Sequence, residues 1–156
     1  MKIELLLVGK TNGRTFIEGI NDYTKRINHY LPFTLTIIPE LKNTKSLSEQ
    51  QQKKAESELI LRKLQPSDYV VLLDEHGKEF RSIEFAAWLQ RKQHAIQRLV
   101  FVVGGSYGFA PELYNRANEQ LSLSKMTFSH QMIRLIFTEQ IYRACTILKG
   151  EPYHHE

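Results

Sequence analysis

The chain has 156 residues with ordinary hydrophobic and charged fractions of 42% and 24%, a formal net charge of +4 and a pI near 9.2. This size suits one core, so we expect a single domain over residues 1–156. No apolar run approaches the length of a membrane span, no secretory leader precedes the first strand-like run, and the lone Cys145 excludes an internal disulfide. We therefore expect a cytoplasmic protein, whose modest basicity permits an anionic partner such as nucleic acid.

The first half of the chain predicts strands alternating with helices. In chain order the pattern predicts strand 2–8, helix 15–28, strand 33–38, a helix from Ser46 or Ser48 to Leu64, and strand 69–73. The first helix is predicted from Phe16, Ile20 and Tyr23, which recur at three- and four-residue spacing. The polar residues 40–52 favour a loop that leads into the second helix.

The second half continues the alternation. It predicts a polar loop at 74–78, helix 82–92 capped by Ser82, strand 99–103, a short helix 111–117, a short strand 120–123 and a closing helix 131–148. Such alternation predicts an α/β fold with a mainly parallel sheet.

A glycine turn follows the strand predicted at 99–103. Five consecutive apolar residues predict a strand buried on both faces, and the chain then reads Gly104-Gly105-Ser106-Tyr107-Gly108. Glycines at the carboxyl end of a parallel strand let the backbone approach a ligand closely. A simple tight turn is the alternative, because the segment matches neither a dinucleotide-binding nor a Walker A pattern.

A second candidate segment leads into the closing helix. Residues 121–130 are rich in small hydroxyl side chains, and backbone amides at such a place could hold a purine edge or a carboxylate. His130 and Arg134 share a helical face, and Arg143 adds a positive charge farther along. The alternative reading is a helix cap at Ser129 with both arginines on a solvated surface.

Four ordered blocks make the pattern specific: VGGSYG at 103–108, LSLSKMTFSHQMIR at 121–134, EQIYRA at 139–144 and PYHH at 152–155. With residues 2–10 and 72–74, they resemble the small bacterial SPOUT-class enzymes that methylate N3 of a pseudouridine in large-subunit (23S) ribosomal RNA. The resemblance implies an α/β fold with a C-terminal trefoil knot, a homodimer, and action on assembled 70S ribosomes. The strand and helix pattern alone predicts no knot.

The resemblance also implies S-adenosylmethionine as methyl donor, bound among the knot loops. The implied donor-binding residues are Leu73, Gly104, Gly105, Leu123, Ser124, Lys125, Met126, Thr127 and Phe128. The glycines would give backbone access, and the apolar members would form walls. We expect no metal, because no Cys/His pair has the spacing of a structural zinc site.

Methyl transfer to a ring nitrogen requires in-line positioning and removal of the imide proton. The candidates for a base or a stabilising cation are His130, Arg134, Arg143, Tyr153 and His154. Histidine could accept the proton, whereas arginine better binds phosphate or stabilises an anion. The sequence does not rank His130 against His154. The resemblance implies that the tail of one subunit approaches the donor site of the other.

Two other functions compete with methyl transfer. One is a ribosome- or RNA-binding protein that retains the fold without catalysis, although none of the blocks departs visibly from the family pattern. The other is a nucleotide-binding oxidoreductase. An enzyme of that class would have the motif G-x-G-x-x-G after the first strand. The sequence there reads Gly9-Lys10-Thr11-Asn12-Gly13, which lacks this motif.

Overall fold

One parallel sheet organises the protein, and the computed structural model describes residues 1–156. Its strands are β1 (Lys2–Val8), β2 (Phe33–Ile38), β3 (Tyr69–Glu79), β4 (Arg98–Val103) and β5 (Glu119–Ser122). They lie in the order β2-β1-β4-β3-β5, and every neighbouring pair is parallel. The expected α/β fold with a parallel sheet is confirmed. All five carboxyl ends consequently share one edge, where ligands of such sheets bind.

Five helices cover the sheet: α1 (Arg14–Ile27), α2 (Glu49–Arg62), α3 (Ser82–Gln93), α4 (Pro111–Arg116) and α5 (Met132–Leu148). Ser48 caps α2, because its Oγ accepts from the Gln51 amide at 3.1 Å while Gln51 Oε1 accepts from the Ser48 amide at 2.8 Å. The prediction that Ser82 caps α3 is wrong. Arg81 holds that position, its amide donating to Glu84 Oε2 at 2.8 Å.

The predicted polar loop at 74–78 is a second error, since β3 runs through it to Glu79. Leu121 of β5 pairs with Leu73 and, after a register shift, with Lys78. A Cβ atom at Gly77 would lie 2.5 Å from the backbone nitrogen of Leu121, so only glycine allows this approach. Backbone groups make this pairing, so the polar side chains of residues 74–78 gave no sign that the strand continues.

Two apolar clusters lie on opposite faces of the sheet. Side chains alternate between them, with Leu5 and Leu7 on one face and Leu6 and Val8 on the other. The larger cluster includes residues of α1, α3 and α5, and the smaller one residues of α2 and α4. Cys145 belongs to the larger cluster, and burial raises the pKa of its thiol to about 12, as expected for a packed side chain.

None of the helices combines the length and the apolar character that crossing a membrane requires.

Candidate functional site

A cavity of about 650 Å³ opens at the carboxyl edge of the sheet. Its walls come from the end of β3, the glycine turn after β4, the loop after β5, α2 and the residues that enter α5. Eight of the nine predicted donor-binding residues line it, namely Leu73, Gly104, Gly105, Leu123, Ser124, Met126, Thr127 and Phe128. Three segments far apart in sequence therefore meet in one place.

Lys125, the ninth of these residues, is exposed and does not line the cavity. The loop around it is held by its own hydroxyls. Ser122 Oγ donates to the Ser124 carbonyl at 2.9 Å, and Ser124 Oγ accepts from the Met126 amide at 3.0 Å. Met126, beside the cavity, keeps 78% of its surface exposed, so the rest of the protein does not cover this apolar side chain.

The two glycines of the turn also have a packing role that the sequence did not indicate. A Cβ atom at Gly104 would lie 2.8 Å from Cε1 of the Phe109 ring, and one at Gly105 would lie 2.6 Å from Glu56 Oε1. The protein's own side chains occupy this space. The absence of a side chain at both positions allows close packing behind the turn as well as backbone access to the cavity.

Asp74 and Tyr114 add a polar pair to the cavity wall that sequence reasoning did not assign to the site. The Tyr114 hydroxyl donates to Asp74 Oδ2, and the His76 amide donates to Asp74 Oδ1 at 2.8 Å. Burial raises the pKa of Asp74, but these hydrogen bonds outweigh it and leave the pKa below its ordinary value. A polar residue directly after the apolar run of a predicted strand is the sequence signal that could have found this carboxylate.

His130 lies two residues before α5 and Arg134 lies in its first turn, but only His130 lines the cavity. Arg134 is fully buried. Its guanidinium donates to the carbonyls of Val8 at 2.7 Å, Gly9 at 2.8 Å and His130 at 3.1 Å. It thus ties α5 to the end of β1. The alternative reading of Arg134 as a solvated surface residue is wrong, because the guanidinium occupies the interior.

The other three candidates form a cluster with Glu139, called here the tail cluster: Glu139, Arg143, Tyr153 and His154. Arg143 donates to Glu139 Oε1 at 2.6 Å and contacts His154 Nδ1 at 3.1 Å. The Tyr153 hydroxyl donates to the same Glu139 oxygen at 2.9 Å, and the Arg143 guanidinium lies 4.8 Å from the Tyr153 ring centroid. None of these residues lines the 650 Å³ cavity.

The hydrogen bond to Arg143 fixes how His154 presents its ring. An arginine only donates, so Nδ1 of His154 accepts, and in the neutral ring the proton resides on Nε2. Nε2 is buried and has no hydrogen-bond partner; the nearest carboxylate oxygen, Glu156 Oε1, lies 3.9 Å away. In this arrangement the ring has an N–H donor that is unpaired but covered by the protein. The Tyr153 hydroxyl is also a donor, and burial raises its pKa further above neutral pH.

A second cavity of about 300 Å³ lies beside the first, and the two share residues 121–123 and Phe128 as a common wall. Arg81 and Gln140 supply polar groups to a lining that is otherwise mainly apolar. Arg81 also donates to Glu156 in the tail at 2.9 Å. The tail therefore reaches the rim of the second cavity.

No three His, Cys, Asp or Glu side chains are grouped so that they could hold a metal ion.

Comparison with known proteins gives a consistent set of matches. Residues 1–154 match the family model described as "Predicted SPOUT methyltransferase". The chain is 63% identical, over all of both chains, to the ribosomal RNA large subunit methyltransferase H of Phocaeicola vulgatus. It is 53% identical to the protein of the same name in Flavobacterium johnsoniae, again over all of both chains.

Among solved structures, the fold resembles a probable methylase family protein from Haemophilus influenzae Rd KW20. The alignment covers 99% of this chain and 70% of the other, with a TM-score of 0.53 and 12% identity. This is a likeness of fold alone.

Proposed function

The chain belongs to the SPOUT methyltransferase family, and from this premise we propose that it methylates N3 of a pseudouridine in large-subunit (23S) ribosomal RNA. It is a methyltransferase with the α/β-knot fold of that family, and the methyl donor of such an enzyme is S-adenosylmethionine. Ribosomal RNA as the substrate class follows from relatives that are 53–63% identical over the full length. The position of the methylated atom is our proposal.

The cavity at the carboxyl edge of the sheet carries the assignment of the donor site. S-adenosylmethionine supplies a methyl group already activated on a sulfonium sulfur. The residues present fit such a molecule: Leu73, Leu123 and Phe128 offer apolar walls, the 122–126 backbone offers amides and carbonyls for an adenine edge, and the Asp74 carboxylate suits a cationic or hydroxyl group. The main task of these residues is to hold donor and acceptor in line.

Methyl transfer to the base forms a carbon–nitrogen bond and breaks the carbon–sulfur bond, whose electron pair stays on sulfur. The N3 proton leaves to a base, and negative charge develops on the imide. His130 lines the cavity and is exposed, so we assign the proton to its ring or to a water beside it. Arg143 would stabilise the imide anion as a hydrogen-bond donor, and so would the Nε2–H of His154 once docking on the substrate uncovers it.

The separation between the cavity and the tail cluster supports a homodimer. Within one chain His130 lines the cavity, whereas Arg143, Tyr153 and His154 do not. A second copy could bring its tail cluster to this cavity and complete the site. Met132 at the start of α5 is 39% exposed and offers an apolar contact for such a partner.

We further propose that the whole chain is one catalytic domain that acts in the cytoplasm on assembled 70S ribosomes. The described residues all belong to one sheet with its helices and loops, which offers a small surface for contacts with RNA. Recognition of an assembled particle would supply the missing contacts.

Calorimetric titration with S-adenosylmethionine tests the donor site. We expect the wild-type protein to bind the donor and Thr127→Trp to lose binding, because Thr127 is exposed on the cavity wall and the larger ring would fill the space. Asn115→Trp, at an exposed position outside the cavity, is the matched control and should bind normally. Absence of binding by the wild-type protein would overturn the assignment.

The acceptor and the shared site need two further experiments. Ribosomes from a strain that lacks the enzyme are incubated with labelled donor, and the methylated base is mapped. Methylation of a base other than a pseudouridine would refute the proposed acceptor.

Mixing Thr127→Trp subunits with His154→Ala subunits tests the proposed dimer. If the tail acts on the other subunit, each mixed dimer regains one complete site of two. Since about half of the dimers in an equal mixture are mixed, the mixture recovers about a quarter of wild-type turnover. No recovery in verified mixed dimers would contradict it.

A further inference from the structure

The carboxyl group of Glu56 is a buried polar group that the fold does not satisfy. Glu56 lies on the inner side of α2 with 6% of its surface exposed. Its Oε1 has no hydrogen-bond partner, and its Oε2 has only a long contact from Gln52 Nε2 at 3.4 Å. A buried oxygen without a partner costs free energy, so its retention calls for an explanation.

This carboxyl lies directly behind the glycine turn. A Cβ atom at Gly105 would be 2.6 Å from Glu56 Oε1, so the two are in close contact. The next residue, Ser57, accepts a hydrogen bond from the Ala110 amide at 2.9 Å and holds the far end of the same turn. Lys53, nearly one helical turn before Glu56, lines the cavity itself. The backbone of the turn is therefore the layer that separates the carboxyl group from the cavity.

The charges that act on this carboxyl are few, and none is positive. Burial raises the pKa of Glu56, the hydrogen bond from Gln52 lowers it, and the nearby Glu40 carboxylate raises it, with a net shift above the ordinary value. No lysine, arginine or histidine of the protein donates a hydrogen bond to the Glu56 carboxyl group or forms an ion pair with it. A positive charge that enters the cavity would be the first to compensate the ionised form.

We propose that Glu56 senses the charge of the molecule in the cavity and so favours the methyl donor over the demethylated product. This inference rests on the proposed donor site. The donor carries one more positive charge than the product, because the sulfonium becomes a neutral thioether when the methyl group leaves. A cation near Gly105 favours the ionised carboxyl group, which releases its proton to solvent and attracts the cation in return. After transfer the attraction is lost, and the carboxyl takes up a proton again.

Calorimetric titrations with S-adenosylmethionine and with S-adenosylhomocysteine test this coupling. They are run in two buffers of different ionisation enthalpy, from about pH 5 to about pH 8, so that the protons released on binding are counted. In the wild-type protein we expect more protons to be released by the donor than by the product. Glu56→Gln should abolish that difference and weaken donor binding roughly tenfold while changing product binding little. Glu58→Gln, at an exposed position of the same helix, is the matched control.

Other acidic and basic side chains line the cavity, namely Glu49, Lys53, Asp74, Glu75, His76 and His130. They remain in the Glu56→Gln protein, so the difference between variant and wild type isolates Glu56. Equal proton release by donor and product in the wild-type protein would overturn the inference, and this result does not depend on any variant folding. A difference that persists in Glu56→Gln would also overturn it. Failure of the wild-type protein to bind the donor would instead reject the donor site itself.

Discussion

The two ends of α5 each carry an arginine, and the fold uses them in opposite ways. Arg134 near the start is fully buried and donates to main-chain carbonyls of Val8 and Gly9. Arg143 near the end keeps 26% of its side chain exposed and contacts Glu139 and His154. The first joins two elements of the fold, and the second orders polar side chains at the surface. Residue type and helix position alone do not distinguish the two roles.

The largest effect should come from Arg134→Met. The variant leaves the carbonyls of Val8, Gly9 and His130 without their buried donor, which we expect to lower the free energy of unfolding by about 3 kcal/mol. Urea denaturation measures the change. If Arg134 instead serves only in catalysis, stability will stay within about 0.5 kcal/mol of wild type while turnover falls.

Arg143→Met should give the reverse pattern. Its pair with Glu139 is partly exposed, so we expect a loss of stability below about 1 kcal/mol. Turnover should fall about 100-fold, because a donor to the developing imide anion is removed. Single-turnover methylation and donor titration separate the two effects. An unchanged rate would place Arg143 with Arg134 as a structural residue.

His154 provides a finer test, since its ring can act as donor or as base. If the Nε2–H is a donor, as the bond from Arg143 to Nδ1 indicates, His154→Ala should lower turnover about thirtyfold with donor binding near normal. His154→Gln should recover part of the rate, because its amide also offers N–H groups. If the ring acts as the base, glutamine will not rescue, and the pH–rate profile will lose one limb.

The smallest effect is expected for Tyr153→Phe. This change removes the hydroxyl that donates to Glu139, which should cost about threefold in turnover through looser positioning of Arg143. Burial keeps the pKa of Tyr153 above its ordinary value, so the hydroxyl does not ionise at neutral pH. The pH–rate profile should keep its shape below about pH 9. A limb that disappears in this variant would show that the phenol transfers a proton.

Much of the fold was predictable because its signals are local. Buried apolar runs predict the strands, and helical spacing predicts the helices to within a few residues. The continuation of β3 past Asp74 was missed because it depends on the backbone of Leu121, which is distant in sequence. Asp74 was likewise not predicted as a site residue, since its relation to Tyr114 exists only after folding.

Local patterns in the sequence were enough to predict the α/β architecture and the parallel sheet, and four ordered blocks pointed to the family. Which candidate residues come together became clear from the folded chain: the glycine turn and the 123–128 loop share a cavity, while Arg143 and His154 lie elsewhere. Only the tertiary structure placed Glu56 behind Gly105 and Arg134 in the interior. The physical reason is that periodicity records the burial of one element at a time. Whether a charged residue is buried, and which group it contacts, depends on how several elements pack together.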